Sequence, residues 1–347
     1  MRRRDFLRLA GAGIGLGGLL SALGCGKKQE AAPQPIGPGP VPKPEATAAA
    51  PASGKVGKNR HDPHPVADLD AVVAVAENPA QAPDKADELL KAALEPYGGI
   101  EAFVQRGDTV VIKPNLAWSR SPEQAANTHP AVLAAVIKAC KDAGASDVLV
   151  VEHTCDSAVV TFDLSGAQEV CKELGVPLVS LDQEGMYGQV EVKQGVNIHD
   201  EQIAQDILDA DVYINVPVCK VHSAATVTLA LKNQLGAIWR PQRYHEAKSE
   251  EEQSENLHQN IADLATALRP TLAVIDATRS LMTNGPKGPG KVENTGALVV
   301  SADFVAADAA ACEFLGVDPA SVAHIQIAAK AGVGRAKALK LKRVQVA

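Results

Sequence analysis

Short apolar runs alternate with longer amphipathic segments along most of the chain, beginning near residue 68. The apolar runs are rich in Val, Ile, Leu and Ala, as is typical of buried strands, and the amphipathic segments repeat at helical spacing. Gly or Pro stands at many boundaries, as at Gly107 before and Pro114 after the run 109–112. This alternation predicts an α/β fold, a parallel or mixed sheet with helices on both faces in a single main domain.

The same pattern predicts where the individual elements lie. Strands are predicted over 71–75, 109–112, 147–151, 178–181, 190–192, 212–216, 272–275 and 297–300. Helices are predicted over 84–94, 130–142, 164–174, 226–235, 257–268, 305–315 and 321–330, although Thr226, Val227 and Thr228 weaken the helical pattern where they occur.

The first 24 residues have a different character. The run RRDFLR at residues 3–8 resembles a twin-arginine export signal, and a short Gly-rich apolar stretch follows it. The run SALGC at 21–25 resembles a bacterial lipobox, except that Ala22 stands where that box prefers Leu. We therefore predict a signal peptide over 1–24, passage through the twin-arginine translocase and lipidation of Cys25. The protein is then periplasmic or in the cell envelope, held at the membrane by an N-terminal lipid. The alternative is a free Cys25 beside an uncleaved signal.

Residues 25–60 lack apolar periodicity and carry seven Pro between residues 33 and 51. A segment of this composition does not bury a core, so we interpret it as a disordered linker between the lipid and the body of the protein. The α/β domain is predicted to span 61–336. A basic tail, 337–347, follows it, and we expect this tail to be a solvated end.

Charge and cysteine usage exclude several classes of function. The formal net charge is −7, and the Arg-rich first 24 residues make the remainder more acidic still, which argues against a nucleic-acid partner. The six Cys include no C-x-x-C pair, so we expect no disulfide framework and no iron–sulfur cluster. The loop at 284–290 lacks the spacing of a phosphate-binding motif.

Polar and ionisable residues follow four of the predicted strands at the point where each strand ends. In open α/β sheets, ligands bind outside the carboxyl ends of the strands, so we expect these side chains to form one site. They are Lys113 and Asn115 after 109–112, Glu152 and His153 after 147–151, Lys220 and His222 after 212–216, and Asp276 and Asn284 after 272–275.

The lysines of this set suit an anionic ligand. Lys113 follows an apolar strand directly, and Pro114 keeps the chain extended after it, which favours contact with a carboxylate or phosphate. Lys220 and His222 lie two residues apart and would share one face of an extended chain.

Lys232 and Asn233 lie among apolar residues on the next predicted helix. A desolvated lysine has a lowered pKa and can act as a base or nucleophile. The alternative is that Lys220 and Lys232 are solvated surface groups, with Lys232 favouring the helix C-terminus.

Two histidines are further candidates. His129 precedes Pro130 where a helix is predicted to begin, so it either caps that helix or lies at an anion site. His245 lies in a long polar loop that forms either a lid over the site or an exposed insertion.

Taken together and in order, these motifs resemble the domain of unknown function 362 family over roughly residues 71–334. Many members of that family carry added ferredoxin-type cysteine clusters, which this chain lacks, so an iron–sulfur role does not transfer. A remoter likeness, to the nickel-dependent lactate racemases, rests on the predicted sheet and the His/Lys site. The residues that carry the family resemblance are VIKPN at 111–115, THP at 128–130, Lys220, His222, Lys232, Asn233, Gly236, His245, Asp276, NGP at 284–286, SAD at 301–303 and AAD at 306–308.

The sequence thus predicts an exported, membrane-tethered enzyme of unassigned reaction that acts on a small anionic substrate or uses an anionic cofactor. A divalent metal on His129, His222 and His245 is compatible with the residue types, but their spacing has no metal signature. The alternative is a non-enzymatic binding or assembly factor for an exported, iron–sulfur-associated redox system. The expected catalytic residues are Lys220, His222, Lys232, His245 and Asp276, and the expected substrate-binding residues are Lys113, Asn115, His129, Asn233 and Asn284.

Overall fold

The computed structural model of the chain describes residues 72–78, 83–246 and 250–347. The predicted signal peptide, Cys25 and the linker lie outside these described residues. The strands are β1 Val72–Glu77, β2 Thr109–Pro114, β3 Asp147–Glu152, β4 Leu178–Ser180, β5 Tyr187–Glu191, β6 Asp200–Ala204, β7 Val212–Val216, β8 Val218–His222, β9 Thr226–Thr228, β10 Leu272–Leu281, β11 Val292–Glu293, β12 Ala297–Ser301 and β13 Lys340–Gln345. The helices are α1 Ala86–Leu94, α2 Pro130–Asp142, α3 Ala158–Leu164, α4 Ala167–Glu173, α5 Gln205–Asp209, α6 Ala230–Asn233, α7 Glu250–Ala267, α8 Phe304–Ala311 and α9 Ala323–Lys330.

Most of the strands form one mixed sheet in the order β13-β1-β12-β10-β7-β2-β3-β4. The run from β10 to β4 is parallel, whereas β12 is antiparallel to both of its neighbours. Strands β8, β9 and β11 attach beside β10, and β5 pairs with β6 in a separate antiparallel hairpin. This architecture confirms the predicted α/β class.

Each face of the sheet packs against its own layer of helices. On β2, Val110 and Ile112 point into a core formed with α1, α2 and α4, while Val111 points into the core formed with α6 to α9. Successive side chains of a strand face opposite sides, so a strand covered on both sides has no polar stripe. This explains why the predicted strands are continuous apolar runs.

The structure corrects the prediction of a helix over 226–235. Residues Thr226–Thr228 form β9, which is antiparallel to β8, and only Ala230–Asn233 is α-helical before a short 3-10 turn. The β-branched residues Val227 and Thr228 favour the extended conformation, and β8 pairs with their backbone, whereas Thr226 has a positive φ of 66° at the turn of the hairpin.

The basic tail also differs from expectation. Its side chains are largely exposed, but Lys340–Gln345 forms β13 and pairs in parallel with β1. This segment is therefore the edge strand of the main sheet, and its charged side chains suit an exposed edge. None of the helices described in the structure is long and apolar enough to cross a membrane.

Candidate functional site

A cavity of about 400 Å³ lies at the carboxyl ends of β2 and β3, between the β8–β9 hairpin and α6. We call it the lysine cavity because Lys113, Lys220 and Lys232 all line it. Seven of the ten residues predicted for the site line it, namely Lys113, Asn115, Lys220, His222, Lys232, Asn233 and His245.

Lys113 is fully buried and has a complete set of acceptors. Its ammonium donates to Pro114 O at 2.8 Å and to Asn233 Oδ1 at 3.2 Å, and it forms an ion pair of 2.9 Å with Glu152 Oε1. The Glu152 carboxylate also accepts the backbone N–H groups of Leu116 and His153. Burial lowers the pKa of Lys113 and raises that of Glu152, and the attraction between the two opposes both shifts. All three N–H groups of Lys113 are thus engaged within the protein.

Lys220 is also buried, at 1% exposure, but the acceptors of its ammonium are neutral. Its Nζ donates to Asn115 Oδ1 at 2.8 Å and to the carbonyl oxygen of Ala126 at 2.5 Å. Burial, assisted by repulsion from Lys232, lowers the pKa of Lys220 to about 7. This lysine is therefore divided between its charged and neutral forms near neutral pH.

Lys232 is partly buried, and among the described residues its Nζ has neither a hydrogen bond nor an ion pair. Burial, with a further contribution from the Lys113 charge, lowers the pKa of Lys232 to about 8. Its side chain extends from α6, whose first two amides, Ala230 N and Leu231 N, donate to the carboxylate of Asp308 at 2.7 and 2.9 Å. Asp308 thereby fixes the start of the short helix that carries Lys232.

His222 is held in one tautomer. Its Nδ1 accepts the backbone N–H groups of Ala224 and Ala225, both at 3.1 Å, so the ring proton lies on Nε2. Burial and the nearby lysines lower the pKa of His222 to about 2. The ring is therefore a neutral donor at physiological pH. It stacks on His245 with ring centroids 6.2 Å apart, and burial lowers the pKa of His245 to about 4.

Three predicted site residues do not line the lysine cavity. Asp276 accepts hydrogen bonds from the backbone N–H of His129 at 2.7 Å and from the backbone N–H and hydroxyl of Thr278. It therefore fixes the local backbone and does not orient a histidine ring of the cavity. His129 caps α2, because its Nδ1 accepts the Ala131 N–H at 3.2 Å. Asn284 is exposed and donates to Pro289 O within its own loop.

Glu152 and Gly236 line the lysine cavity although the sequence assigned neither of them a catalytic or binding role. Glu152 ends β3, so the rule that led to Lys113 applied to it equally. Gly236 lies against the Lys113–Glu152 pair, and a Cβ on it would overlap Glu152 Oε1 and lie 2.7 Å from Lys113 Nζ. Glycine at 236 is required by this close approach.

The metal prediction gains no support from the side chains. Among residues 72–78, 83–246 and 250–347, no three His, Cys, Asp or Glu side chains converge as a metal ion requires. The bonds that His222 Nδ1 accepts also leave its Nε2 protonated and so unable to ligate.

Residues 110–313 match the family described as Domain of unknown function (DUF362). The chain belongs to the DUF362 family. The matched region begins on β2 and includes every residue that lines the lysine cavity. A relative from Synechocystis sp., named thylakoid-associated protein sll1697, is 28% identical over 233 residues, which is 67% of this chain and 71% of that protein.

Two solved structures are more distant from this DUF362 chain. One is a protein from Thermotoga maritima, with 11% identity and a TM-score of 0.41 over 69% of this chain and 60% of that one. The other is the lactate racemase apoprotein from Thermoanaerobacterium thermosaccharolyticum, with 13% identity and a TM-score of 0.44 over 70% of this chain and 56% of that one. The matched parts thus span less than two thirds of either solved chain, and likeness at this level says nothing about chemistry.

Proposed function

We propose that this DUF362 protein is an exported, membrane-tethered enzyme that acts on a small anionic compound bound in the lysine cavity. The observation that carries the proposal is the Lys232 ammonium, which has no hydrogen bond or ion pair among the described residues and lies in a cavity with two further lysines. Among the described residues that line the cavity, Glu152 is the one carboxylate, and Lys113 already neutralises it. A positive charge that is partly desolvated and has no partner favours an anion.

Two further hydrogen-bond donors at the lysine cavity also favour an anionic ligand. Thr228 Oγ1 and Trp118 Nε1 belong to lining residues, are buried, and have no hydrogen-bond partner in the described structure. Buried polar groups are nearly always bonded, so such groups at a cavity suit a ligand that accepts hydrogen bonds. A carboxylate or phosphate provides several acceptor oxygens. The volume of about 400 Å³ suits a small molecule.

The cavity also holds a group that can exchange a proton near neutral pH. Lys220, with a pKa of about 7, is matched to general acid–base work at that pH. His222 and His245, with pKa values of about 2 and about 4, are neutral there. In this proposal the imidazoles position the ligand, and Lys220 moves the proton.

Anion binding is tested by calorimetric titration with pyruvate, malonate and inorganic phosphate. Lys232→Gln should weaken the best of these by about tenfold or more, because a hydrogen bond to a charged group contributes about 1.5–3 kcal/mol. The matched control is Lys138→Gln, since Lys138 is an exposed lysine on α2 paired with Asp87. Equal affinity in wild type and the Lys232 variant, or no binding of any anion, would count against the proposal.

Turnover is tested separately by NMR in D₂O. Proton abstraction replaces C–H by C–D at the carbon next to the ketone of a bound oxo acid, or at the carbon next to the carboxylate of a bound hydroxy acid. Loss of exchange in Lys220→Met with retained binding supports an enzyme. Saturable binding with no exchange or other turnover favours the alternative of a non-enzymatic binding or assembly factor.

Export and tethering rest on the residues of the N-terminus alone. The support is the run RRDFLR at 3–8 and Cys25 at the end of SALGC. Changing Arg3 and Arg4 to Lys should keep the protein in the cytoplasm of a bacterium with a twin-arginine system. Cys25→Ala should release the exported protein from membrane fractions. Export that persists without the arginine pair would contradict the assignment.

A further inference from the structure

The side-chain amides of three asparagines form an oriented chain that ends on Lys220. Asn215 Nδ2 donates to Ala230 O at 2.8 Å, and Asn233 Nδ2 donates to Asn215 Oδ1 at 2.7 Å. Asn115 Nδ2 then donates to Asn233 Oδ1 at 2.7 Å. Because a backbone carbonyl only accepts, the direction of each amide follows from that first bond. Asn115 must therefore present its oxygen to Lys220.

This orientation determines where the Lys220 lone pair points. A neutral amine has two N–H groups and one lone pair, arranged tetrahedrally with Cε. Asn115 Oδ1 and Ala126 O take both N–H groups. The remaining tetrahedral position belongs to the lone pair, and Lys220 is one of the residues that line the lysine cavity. Neither acceptor therefore occupies the position that a nucleophile needs.

The other two lysines lack this arrangement. Lys113 uses all three N–H groups on acceptors that include the Glu152 carboxylate, which stabilises its charged form. Among the residues that the structure describes, Lys232 has no acceptor to direct its ammonium, and its pKa of about 8 keeps it more often charged than Lys220. A desolvated lysine beside another cation is the setting in which proteins activate an amine for imine formation.

We propose that Lys220 captures the carbonyl carbon of a small 2-oxo acid as an imine, while the Lys232 ammonium holds the acid's carboxylate. This inference rests on the proposed anion-binding function, names its substrate class and makes Lys220 the nucleophile in place of the proton carrier. Lys232 and Lys220 line one cavity, and the charge of Lys232 contributes to the lowered pKa of Lys220, so the two amines are neighbours there.

The step needs no oxidant, reductant or further reactant. The Nζ lone pair forms a C–N bond as the carbonyl π bond breaks, and the oxygen takes a proton from the nitrogen to give a carbinolamine. The hydroxyl then leaves as water with the second nitrogen proton, and a C=N bond remains. If the imine is protonated, its single N–H has Asn115 Oδ1 or Ala126 O as an acceptor already in place.

The test is reductive trapping of the full-length protein. Pyruvate, glyoxylate or 2-oxoglutarate is added with sodium cyanoborohydride, followed by intact mass and peptide mapping. We expect one reduced adduct per chain, located on Lys220, with Lys113 and the exposed Lys138 unmodified. Mapping on the wild-type protein makes the result independent of whether Lys220→Met folds. If that variant folds, judged by circular dichroism, its adduct should be lost.

Malonate and inorganic phosphate, which have no reactive carbonyl, separate the two proposals. Protection of Lys220 by malonate, together with the adduct, supports both. Anion binding without an adduct at Lys220, or with the adduct on Lys232, overturns the imine and leaves the anion site standing. If malonate does not slow adduct formation at Lys220, Lys220 acts as the nucleophile but Lys232 does not bind the carboxylate of the oxo acid, which overturns that part of the proposal. Neither binding nor adduct overturns both.

Discussion

Two ends of the same hydrogen-bond network surround lysines of nearly equal burial with different acceptors. At the acid-bound end, formed by Lys113, Glu152 and Asn233, the ammonium meets a carboxylate and two further acceptors. At the open end, formed by Lys220, Asn115 and the Ala126 carbonyl, the amine meets two neutral oxygens. Exposure is 0% for Lys113 and 1% for Lys220. Burial alone therefore does not set the role of a lysine; the number and charge of its acceptors do.

The largest expected effect comes from removing the charge that defines the acid-bound end. Glu152→Gln leaves the buried Lys113 ammonium without its counter-ion, and breaking a buried pair from one side costs about 3–5 kcal/mol of the free energy of unfolding. Urea denaturation measures it, with the exposed Glu173→Gln as the control. If Glu152→Gln lowers the free energy of unfolding no more than the control does, the Lys113–Glu152 ion pair does not distinguish the acid-bound end from the open end.

Asn115→Asp would turn the open end into a second acid-bound end. A carboxylate beside Lys220 should raise its pKa by about 1–3 units, as opposite charges at this distance do. Adduct formation at neutral pH should then fall by about tenfold or more, and its pH profile should move to higher pH. The exposed Asn284→Asp is the matched control, because Asn284 lies outside the lysine cavity. An unchanged pH profile would mean that the acceptors of Lys220 do not set its pKa.

Asp308 holds helix α6, which supplies Asn233 to the acid-bound end and Lys232 to the lysine cavity. Burial raises its pKa from 3.8 to about 8, so the fold favours its protonated form. The stability this acid contributes is present at low pH and is lost as pH rises from its ordinary value towards about 8. Asp308→Asn should cost about 1 kcal/mol as a weakened cap. The deficit should shrink as pH rises, in unfolding curves taken across that range. A deficit independent of pH would contradict this sign.

The smallest expected effect is in the wild-type pH dependence. The rate of imine formation should rise with pH as Lys220, whose pKa is about 7, loses its proton. Carboxylate affinity should fall by a few-fold as Lys232 loses its charge above about 8. Trapping rates and calorimetry at a series of pH values would locate both limits. If the trapping rate keeps rising at pH values well above the pKa of Lys232, imine formation at Lys220 does not depend on the charge of Lys232.

Sequence pattern predicted the sheet well where strands are buried on both faces, as with β2, β3, β7 and β12. It was wrong at β9, where three β-branched residues follow a strand inside an apolar segment. There, pairing with β8 outweighed helical spacing. It also left β13 as a solvated end, because an exposed edge strand has no apolar face to detect.

For the site, the rule that ligands bind beyond strand ends brought Lys113, Asn115, Lys220 and His222 to one cavity. The same rule misplaced Asp276 and Asn284. Asp276 lies within the long strand β10 and bonds backbone, and Asn284 follows that strand in an exposed loop. A position at a strand end indicates which edge of the sheet a residue lies near. The direction of its side chain and the local backbone decide whether it lines the cavity at that edge.

The sequence by itself determined the α/β class, the family, and that three lysines and two histidines would gather at one edge of a sheet. Only the tertiary structure decided which lysine pairs with a carboxylate and which has neutral acceptors. The reason is that the deciding acceptors come from far along the chain. Glu152 is 39 residues from Lys113, and Asn115 is 105 residues from Lys220. Charge state depends on contacts at 3 Å, and residues separated by this much sequence meet at that distance only once the chain has folded.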